Sequence, residues 1–586
     1  MSPKASLIKP AWVSQTRIRC ADAPSAAARP SVVVEEGVAV PMRDGVELRA
    51  DVYRPDGDGP VPALLSRTPY DRTLRLTLAA ALDPDAAVEA GFALVCQDVR
   101  GQYGSDGEFS PFRSEGPDGY DTVEWVAAQP WCSGEVGMAG RSYTAATQWL
   151  AAAERPPHLR AIFPVVVGSN YYNGWIYQGG AFQLGFNLFW VHLMTAPKGR
   201  ASLDEQYRHL PITSPPLLAN SMAGGFYREW LAHPTFDEHW RTLSVNSHYR
   251  KVEIPVFNVG GWYDIFLGGT LENFSRIRRE GGSGAARSNA RLLVGPWAHG
   301  STYGAYPDHT FEAFESRDRV DLTDVQLGFF SRHLKDDAAG EDVAPVRIFV
   351  MGENRWRDEQ DWPLARAREE RWFLHSRGDA AGDGGTLTRD APGGEPEDRY
   401  LYDPEDPAPT VGGPTSLPGR FLKTNSGPLD QRKVEERPDV LVYTSDALDR
   451  PLEVTGPLTL VLHAASSARD TDFVAKLSDV APDGFSRILA EGVLRARFRD
   501  SFEHPSLIEP DRVYEYAIDL VATSNVFLGG HRIRLAVTSS SFPRFDRNAN
   551  SGKPLGEDGP EDLASARQAV FHDAERPSHV LLPVVS

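Results

Sequence analysis

The stretch "VGMAGRSYTAATQWLAAA", from Val136 to Ala153, joins a short apolar run to an alanine-rich segment through Gly-Arg-Ser-Tyr-Thr. The run reads as a buried strand and the segment as a helix, with only a tight turn between them. Ser142 then has two readings. It caps the helix, as serines at helix starts commonly do. Or it is a nucleophile, with strand, turn and helix exposing its Oγ and setting the backbone N–H of Tyr143 at the positive helix N-terminus as an oxyanion donor. Close packing of strand on helix demands small flanking residues, and Gly140 and Ala145 are small. The fingerprint G-x-S-x-G is incomplete, because Thr144 stands where its second glycine would be. The motif alone does not choose between the readings.

On either side of this stretch the grammar is that of an α/β sheet. "ELRADVY", "PALLSR", the doubly apolar "GFALVCQDV" and "LRAIFPVVVG" read as strands, and "GYDTVEWVAAQ" as a helix with Val123, Val126 and Ala127 on one face. Buried strands alternating with helices predict βαβ units and a parallel sheet over 32–168. From 169 to 250 the rhythm changes to dense aromatics, with Phe182, Phe186, Phe189 and Trp190 at helical spacing. This predicts a helical cap, whose rings form ordinary helix core or the wall of an apolar pocket. The βα pattern resumes over 251–361 with "IPVFNVGG", "FLGGTLENFSRIRRE", "ARLLVGPW" and "LTDVQLGFFSRHL". From 362 to 586, Gly- and Pro-rich loops separate period-2 runs such as "DVLVYTS", "LTLVLHAAS" and "HRIRLAVTSS", predicting an antiparallel β-sandwich or jelly roll. A carbohydrate-binding module is another use of such a sandwich, without specific support in these residues. Residues 1–31 read as an N-terminal extension ending in the small-residue linker "APSAAARPS". A chain of 586 residues is too long for one core, since domains hold about 100–200 residues each.

A net charge of −19 disfavours phosphate backbones, so nucleic acid is not an expected partner. The N-terminus has no apolar signal region, and no apolar stretch approaches the length needed to span a bilayer. A cytoplasmic protein without membrane association is expected. Three cysteines, Cys20, Cys96 and Cys132, imply no disulfide framework, and Cys96 in "FALVC" reads as a buried small hydrophobe. No C-x-x-C or H-E-x-x-H cluster occurs, so neither a metal nor another cofactor is expected. A homo-oligomer is compatible with the sequence but not specified by it.

Two later segments bear on Ser142. "NVGGWYDIF" puts Asp264 just after a strand, and "LLVGPWAHG" puts His299 just after another. Strand ends at the carboxyl edge are where open α/β sheets place their chemistry, and Ser…Asp…His is the chain order of α/β hydrolases. Asp264 would orient the imidazole, and His299 would take the Ser142 proton and pass it to the leaving group.

With these residues the sequence resembles the cocaine-esterase / X-prolyl dipeptidyl-peptidase family of α/β hydrolases, which includes α-amino-acid ester hydrolases and cephalosporin acylases. The family's elbow is G-x-S-Y-x-G, read here as Gly140-Arg141-Ser142-Tyr143-Thr144-Ala145. Thr144 is therefore no departure, whereas Ala145 replaces the family's glycine. "PMRDGVELRADVYRP" resembles the family's opening hairpin, "QDVRGQYGSDGEF" the loop before the elbow, and "GGWYD" and "GPWAH" the triad segments. "SRTPYD" resembles the segment whose tyrosine hydroxyl completes the oxyanion hole, which implies Tyr70 beside the Tyr143 N–H. "YDPEDPAPTVGG" and "SSSFPRFDRNANSG" resemble jelly-roll motifs. The resemblance implies an α/β-hydrolase core, a helical cap and a C-terminal jelly roll, and hydrolysis of a small-molecule ester or amide through an acyl-enzyme.

The substrate is read locally. In the amino-acid ester hydrolases, carboxylates behind the triad aspartate help hold the substrate ammonium. Here Ile265, Phe266, Leu267 and Gly268 follow Asp264, and an unpaired ammonium would cost several kcal/mol to desolvate. Phe266 resembles the aromatic wall of the acyl pocket, and Trp190 is a candidate for the other wall. A bulky or aromatic apolar acyl group is expected. Alternatives are an amidase, acylase or peptidase with the same triad, an acyltransferase with a non-water acceptor, and a binding protein on an inactive scaffold. The intact set of Ser142, Asp264, His299 and Tyr70 argues against the last.

Overall fold

The computed structural model describes residues 31–57, 59–74, 82–195, 203–218, 223–300, 302–311, 320–335, 344–382, 384–417 and 425–585. The expected N-terminal extension, with Cys20, lies outside them but for residue 31.

A ten-stranded sheet organises the first part of the chain. Its strands are β1 (Val32–Pro41), β2 (Glu47–Pro55), β3 (Val61–Thr68), β4 (Ala93–Asp98), β5 (Cys132–Arg141), β6 (Leu159–Val165), β7 (Phe257–Tyr263), β8 (Arg291–Ala298), β9 (Val346–Val350) and β10 (Arg355–Glu359), in spatial order β1-β2-β4-β3-β5-β6-β7-β8-β9-β10. From β4 to β9 neighbouring strands pair in parallel, while β1, β2 and β10 pair antiparallel at the edges. β4 is buried along its whole length, as a strand apolar on both faces must be when helices cover both sides of a parallel sheet. Among the covering helices are α1 (Glu115–Ala127), α2 (Tyr143–Glu154), α4 (Leu267–Glu280) and α5 (Leu322–Leu334), with α3 (Leu184–Thr195) in the cap. The fold is an α/β-hydrolase core with helices inserted between β6 and β7.

Beyond the core sheet, eleven strands between Arg368 and Val585 hydrogen-bond into one set, antiparallel except for the pairing of Gly385–Thr388 with Leu441–Thr444. This is a β-rich C-terminal domain. It docks on core and cap through backbone: Met351 N–H donates to Ser524 O at 3.0 Å and Val526 N–H to Met351 O at 2.8 Å. A two-residue cap hairpin, Tyr177–Gln178 with Ala181–Phe182, meets it across Gly179. A Cβ there would run into the Val493 carbonyl, and φ is +54°, so glycine permits both the turn and the close approach.

Cys96 and Cys132 are buried and unpaired. Among the described residues no helix is long and apolar enough to cross a membrane, and no group of three or more His, Cys, Asp or Glu is placed to hold a metal ion.

Candidate active site

β5 ends at Arg141 and α2 begins at Tyr143, so Ser142 alone makes the turn. Its φ of 57° and ψ of −123° put a non-glycine residue in a sparsely populated region, a local strain held by its surroundings. Ser142 occupies the N-cap position, yet its side chain makes no capping hydrogen bond. Its N–H donates to Val165 O at 2.9 Å, pinning the turn to β6. Thr144 tightens the elbow by donating its hydroxyl to Arg141 O at 2.8 Å. It occupies the space beside Gly140, where φ is +146° and a Cβ would lie 2.7 Å from Thr144 Cβ and closer still to its Oγ1. Gln148 donates to Gly140 O at 3.2 Å and accepts from Phe163 N–H at 3.0 Å, joining the elbow to β6 a second time.

The Ser142 side chain is turned toward His299, whose Nε2 lies 2.9 Å from Ser142 Oγ. On the other side of the ring, Nδ1 lies 2.8 Å from Asp264 Oδ2. The tautomer that satisfies both contacts carries its proton on Nδ1 and leaves Nε2 to accept from the serine hydroxyl. Asp264 follows β7 and is buried, and its second oxygen accepts the Phe266 N–H at 2.6 Å. His299 follows β8. The sheet thus brings three residues, remote in sequence, into one hydrogen-bonded line.

Tyr70 lies on the loop after β3, and its hydroxyl hydrogen-bonds with Ser142. Burial, partly offset by the bonds to Trp190 and Ser142, pushes its pKa up to about 12, so it stays protonated and able to donate at neutral pH. Tyr143 is the first residue of α2, so its N–H has no acceptor within the helix. The Tyr143 ring is sunk in the core, where its hydroxyl donates to Glu115 Oε1 at 2.9 Å and accepts from Phe112 N–H at 3.0 Å. Glu115 is itself paired with the buried Arg67 at 2.8 Å.

Of the two expected pocket residues, Phe266 stands edge-on to the His299 ring with centroids 5.0 Å apart. It stacks on Trp175 at 4.2 Å and meets Phe186 edge-on at 5.4 Å. Trp190 stands on the Tyr70 side of Ser142: its Nε1–H donates to Tyr70 Oη at 2.8 Å and its ring stacks on Tyr143 at 6.0 Å. The sequence alone assigns Arg141 no role. Its guanidinium Nη2 donates to the His299 carbonyl at 2.6 Å. A charge beside Ser142 is visible in the sequence, but its partner lies 158 residues on and no local pattern names it.

Comparison with known proteins agrees with this architecture. The family model of the X-Pro dipeptidyl-peptidase (S15 family) matches residues 44–301, and that of the X-Pro dipeptidyl-peptidase C-terminal non-catalytic domain matches 338–581. The cocaine esterase of Rhodococcus sp. (strain MB1 Bresler) is 39% identical over 579 residues, covering 94% of this chain and 98% of its own. An aminopeptidase from a marine-sediment Thaumarchaeota archaeon is similar in structure, with a TM-score of 0.82 at 28% identity over 97% of this chain and 99% of its own. An α-amino acid ester hydrolase superposes with a TM-score of 0.79 at 27% identity, over 96% and 98% of the two chains. With both parts matched in order and a relative aligned along nearly the whole length, the chain belongs to the cocaine-esterase and X-Pro dipeptidyl-peptidase (S15) family of α/β hydrolases.

Proposed function

We propose that the protein is a serine hydrolase that cleaves carboxylic esters through an acyl-enzyme, with Ser142 as nucleophile, His299 as general base and acid, and Asp264 holding the imidazole. The observation that carries this reading is the line from Ser142 Oγ through His299 to Asp264, with contacts of 2.9 and 2.8 Å, at a serine held in strained backbone and free of any capping bond.

In the first half-reaction Ser142 Oγ attacks the ester carbonyl while His299 Nε2 takes its proton. Asp264 steadies the resulting imidazolium without accepting a proton from it. The oxyanion is held by the Tyr70 hydroxyl and the Tyr143 N–H, the latter reinforced by the α2 dipole. The tetrahedral intermediate collapses as His299 protonates the departing alkoxide. In the second half-reaction water gives a proton to His299 and attacks the acyl carbon, and Ser142 Oγ leaves with that proton.

The acyl group is proposed to be bulky or aromatic and uncharged. Phe266 and Phe186 pack beside the His299 ring, with Trp175 stacked on Phe266, and such rings contribute apolar area with few conformers to lose. Ile265, Phe266 and Leu267 behind Asp264 are apolar and buried, offering no partner to a substrate ammonium.

Labelling with an organofluorophosphonate, followed by peptide mapping, tests the nucleophile. Modification at Ser142, and its loss in Ser142→Ala together with turnover of p-nitrophenyl esters, is the expected result. A folded Ser142→Ala protein that retained most activity would overturn the assignment.

A further inference from the structure

We propose that Trp190 is a positioning residue for ester hydrolysis, aiming the Tyr70 hydroxyl proton at the oxyanion. The inference rests on the reading of Tyr70 as an oxyanion donor. The indole N–H can only donate, so in the 2.8 Å contact the Tyr70 oxygen is the acceptor. A phenol has a single hydrogen, which prefers the plane of the ring and so has two orientations to choose from. With the Trp190 N–H occupying one side of Oη, the hydrogen is left to the other, where Tyr70 hydrogen-bonds with Ser142. The oxyanion forms on the carbon attacked by Ser142 Oγ, so this is the side on which a donor is needed. The hydroxyl is thereby oriented before the reaction begins, and a bond accepted by the phenol oxygen also strengthens the one it donates.

The surroundings fix the indole. Trp190 is only 5% exposed. Its ring stacks on Tyr143, with planes 15° apart, and packs against Phe226 and Trp230 at 5.8 and 5.9 Å. Tyr143 is the residue whose backbone N–H would be the second oxyanion donor, so the same indole packs on the side chain of that residue. Trp190 belongs to α3 of the cap, whereas Tyr70 and Tyr143 belong to the hydrolase core. Docking of the cap therefore completes the orientation of the oxyanion hole.

A double-mutant cycle tests this with p-nitrophenyl acetate and p-nitrophenyl benzoate on the full chain. Trp190→Phe retains an aromatic ring and removes the donor. We expect kcat to fall about tenfold for both esters with KM little changed, the scale of one lost hydrogen bond. In the Tyr70→Phe background the same substitution should change kcat less than twofold, because no hydroxyl remains to orient. A role confined to the wall of the acyl pocket would behave differently, weakening benzoate more than acetate, raising KM, and doing so whether or not Tyr70 keeps its hydroxyl. That result would overturn the proposal. Should Trp190→Phe lower the melting temperature so far that kinetics cannot be read, benzothienylalanine at position 190 replaces the N–H by sulfur at nearly constant shape and must give the same coupling. A Tyr70→Phe enzyme with wild-type kcat would instead remove the oxyanion reading on which the inference stands, and the single variant reveals that outcome without the cycle.

Discussion

Arg141 and His299 are joined by a 2.6 Å hydrogen bond from the guanidinium to the histidine's own backbone carbonyl. The residue before Ser142 therefore holds the histidine proposed to deprotonate it. Burial pulls the Arg141 pKa below its ordinary value, and the charge of Asp264 offsets this only in part. Arg141→Met should lower kcat with KM little changed, by about 1.5–3 kcal/mol of barrier, the range for a bond to a charged group. Arg141→Lys, which keeps the charge but lacks the planar reach, should fall between. Steady-state kinetics beside a thermal melt decide the matter: a lower melting point with unchanged kcat would reduce Arg141 to a packing role.

Ser142 holds a backbone conformation that is costly for a residue with a Cβ. Ser142→Gly, which removes both the nucleophile and the cost of φ at 57° in a residue with a Cβ, should abolish turnover while stabilising the fold by up to about 1 kcal/mol. Denaturant titration against Ser142→Ala, which keeps the Cβ, isolates the backbone term. Equal stability of the two variants would mean the turn is not strained.

Gly140→Ala should destabilise by about 3 kcal/mol or more, since the new methyl would overlap Thr144 at a φ of +146°. Combining it with Thr144→Gly removes the overlapping side chain but not the backbone strain, so only part of the stability should return. Complete recovery would show that φ contributes nothing there.

Phe266→Ala should cost more for benzoyl than for acetyl esters, by about 1–3 kcal/mol in kcat/KM, as expected for lost apolar contact in a pocket. A panel of p-nitrophenyl acyl esters reads the difference directly. Equal losses for both acyl groups would place Phe266 behind His299 as a support and leave the acyl group to other residues.

A buried ionic cluster in the C-terminal domain makes stability depend on pH. His572 Nε2 lies 2.8 Å from Asp398 and its Nδ1 3.3 Å from Glu395, which also meets His375 at 2.8 Å. Burial lowers the His572 pKa, but the bond to Asp398 and the charges of Asp398 and Glu395 outweigh it and hold the value above the ordinary histidine range. A group raised on folding contributes stability that is complete below its unfolded pKa, about 6.5, and is lost as pH rises through the folded value. The Asp398 and Glu395 carboxyls are held below their ordinary range, so their share is lost at the acid end, as pH falls through their folded values. The melting-temperature gap between wild type and His572→Gln should accordingly be wider at pH 6 than at pH 9. A gap independent of pH would sink this account.

Much of the fold was legible because its signals are local. The run "GFALVCQDV" is apolar on both faces and became the fully buried β4, and "YTAATQWLAAAE" became α2 to the residue. Strand ends and chain order singled out Ser142, Asp264 and His299, since in a parallel sheet every strand finishes at the same edge. Arg141 with His299, and Trp190 with Tyr70, lie 158 and 120 residues apart. Their pairing follows from how sheet, helix and cap stack, and no propensity or period in a short window carries that information. The amino-acid sequence by itself determined the elements, their order and the candidate reactive side chains at the sheet edge. Only the tertiary structure decided which neighbours hold those side chains: a hydrogen bond needs its donor and acceptor within about 3 Å, and only the packing of distant elements sets such separations.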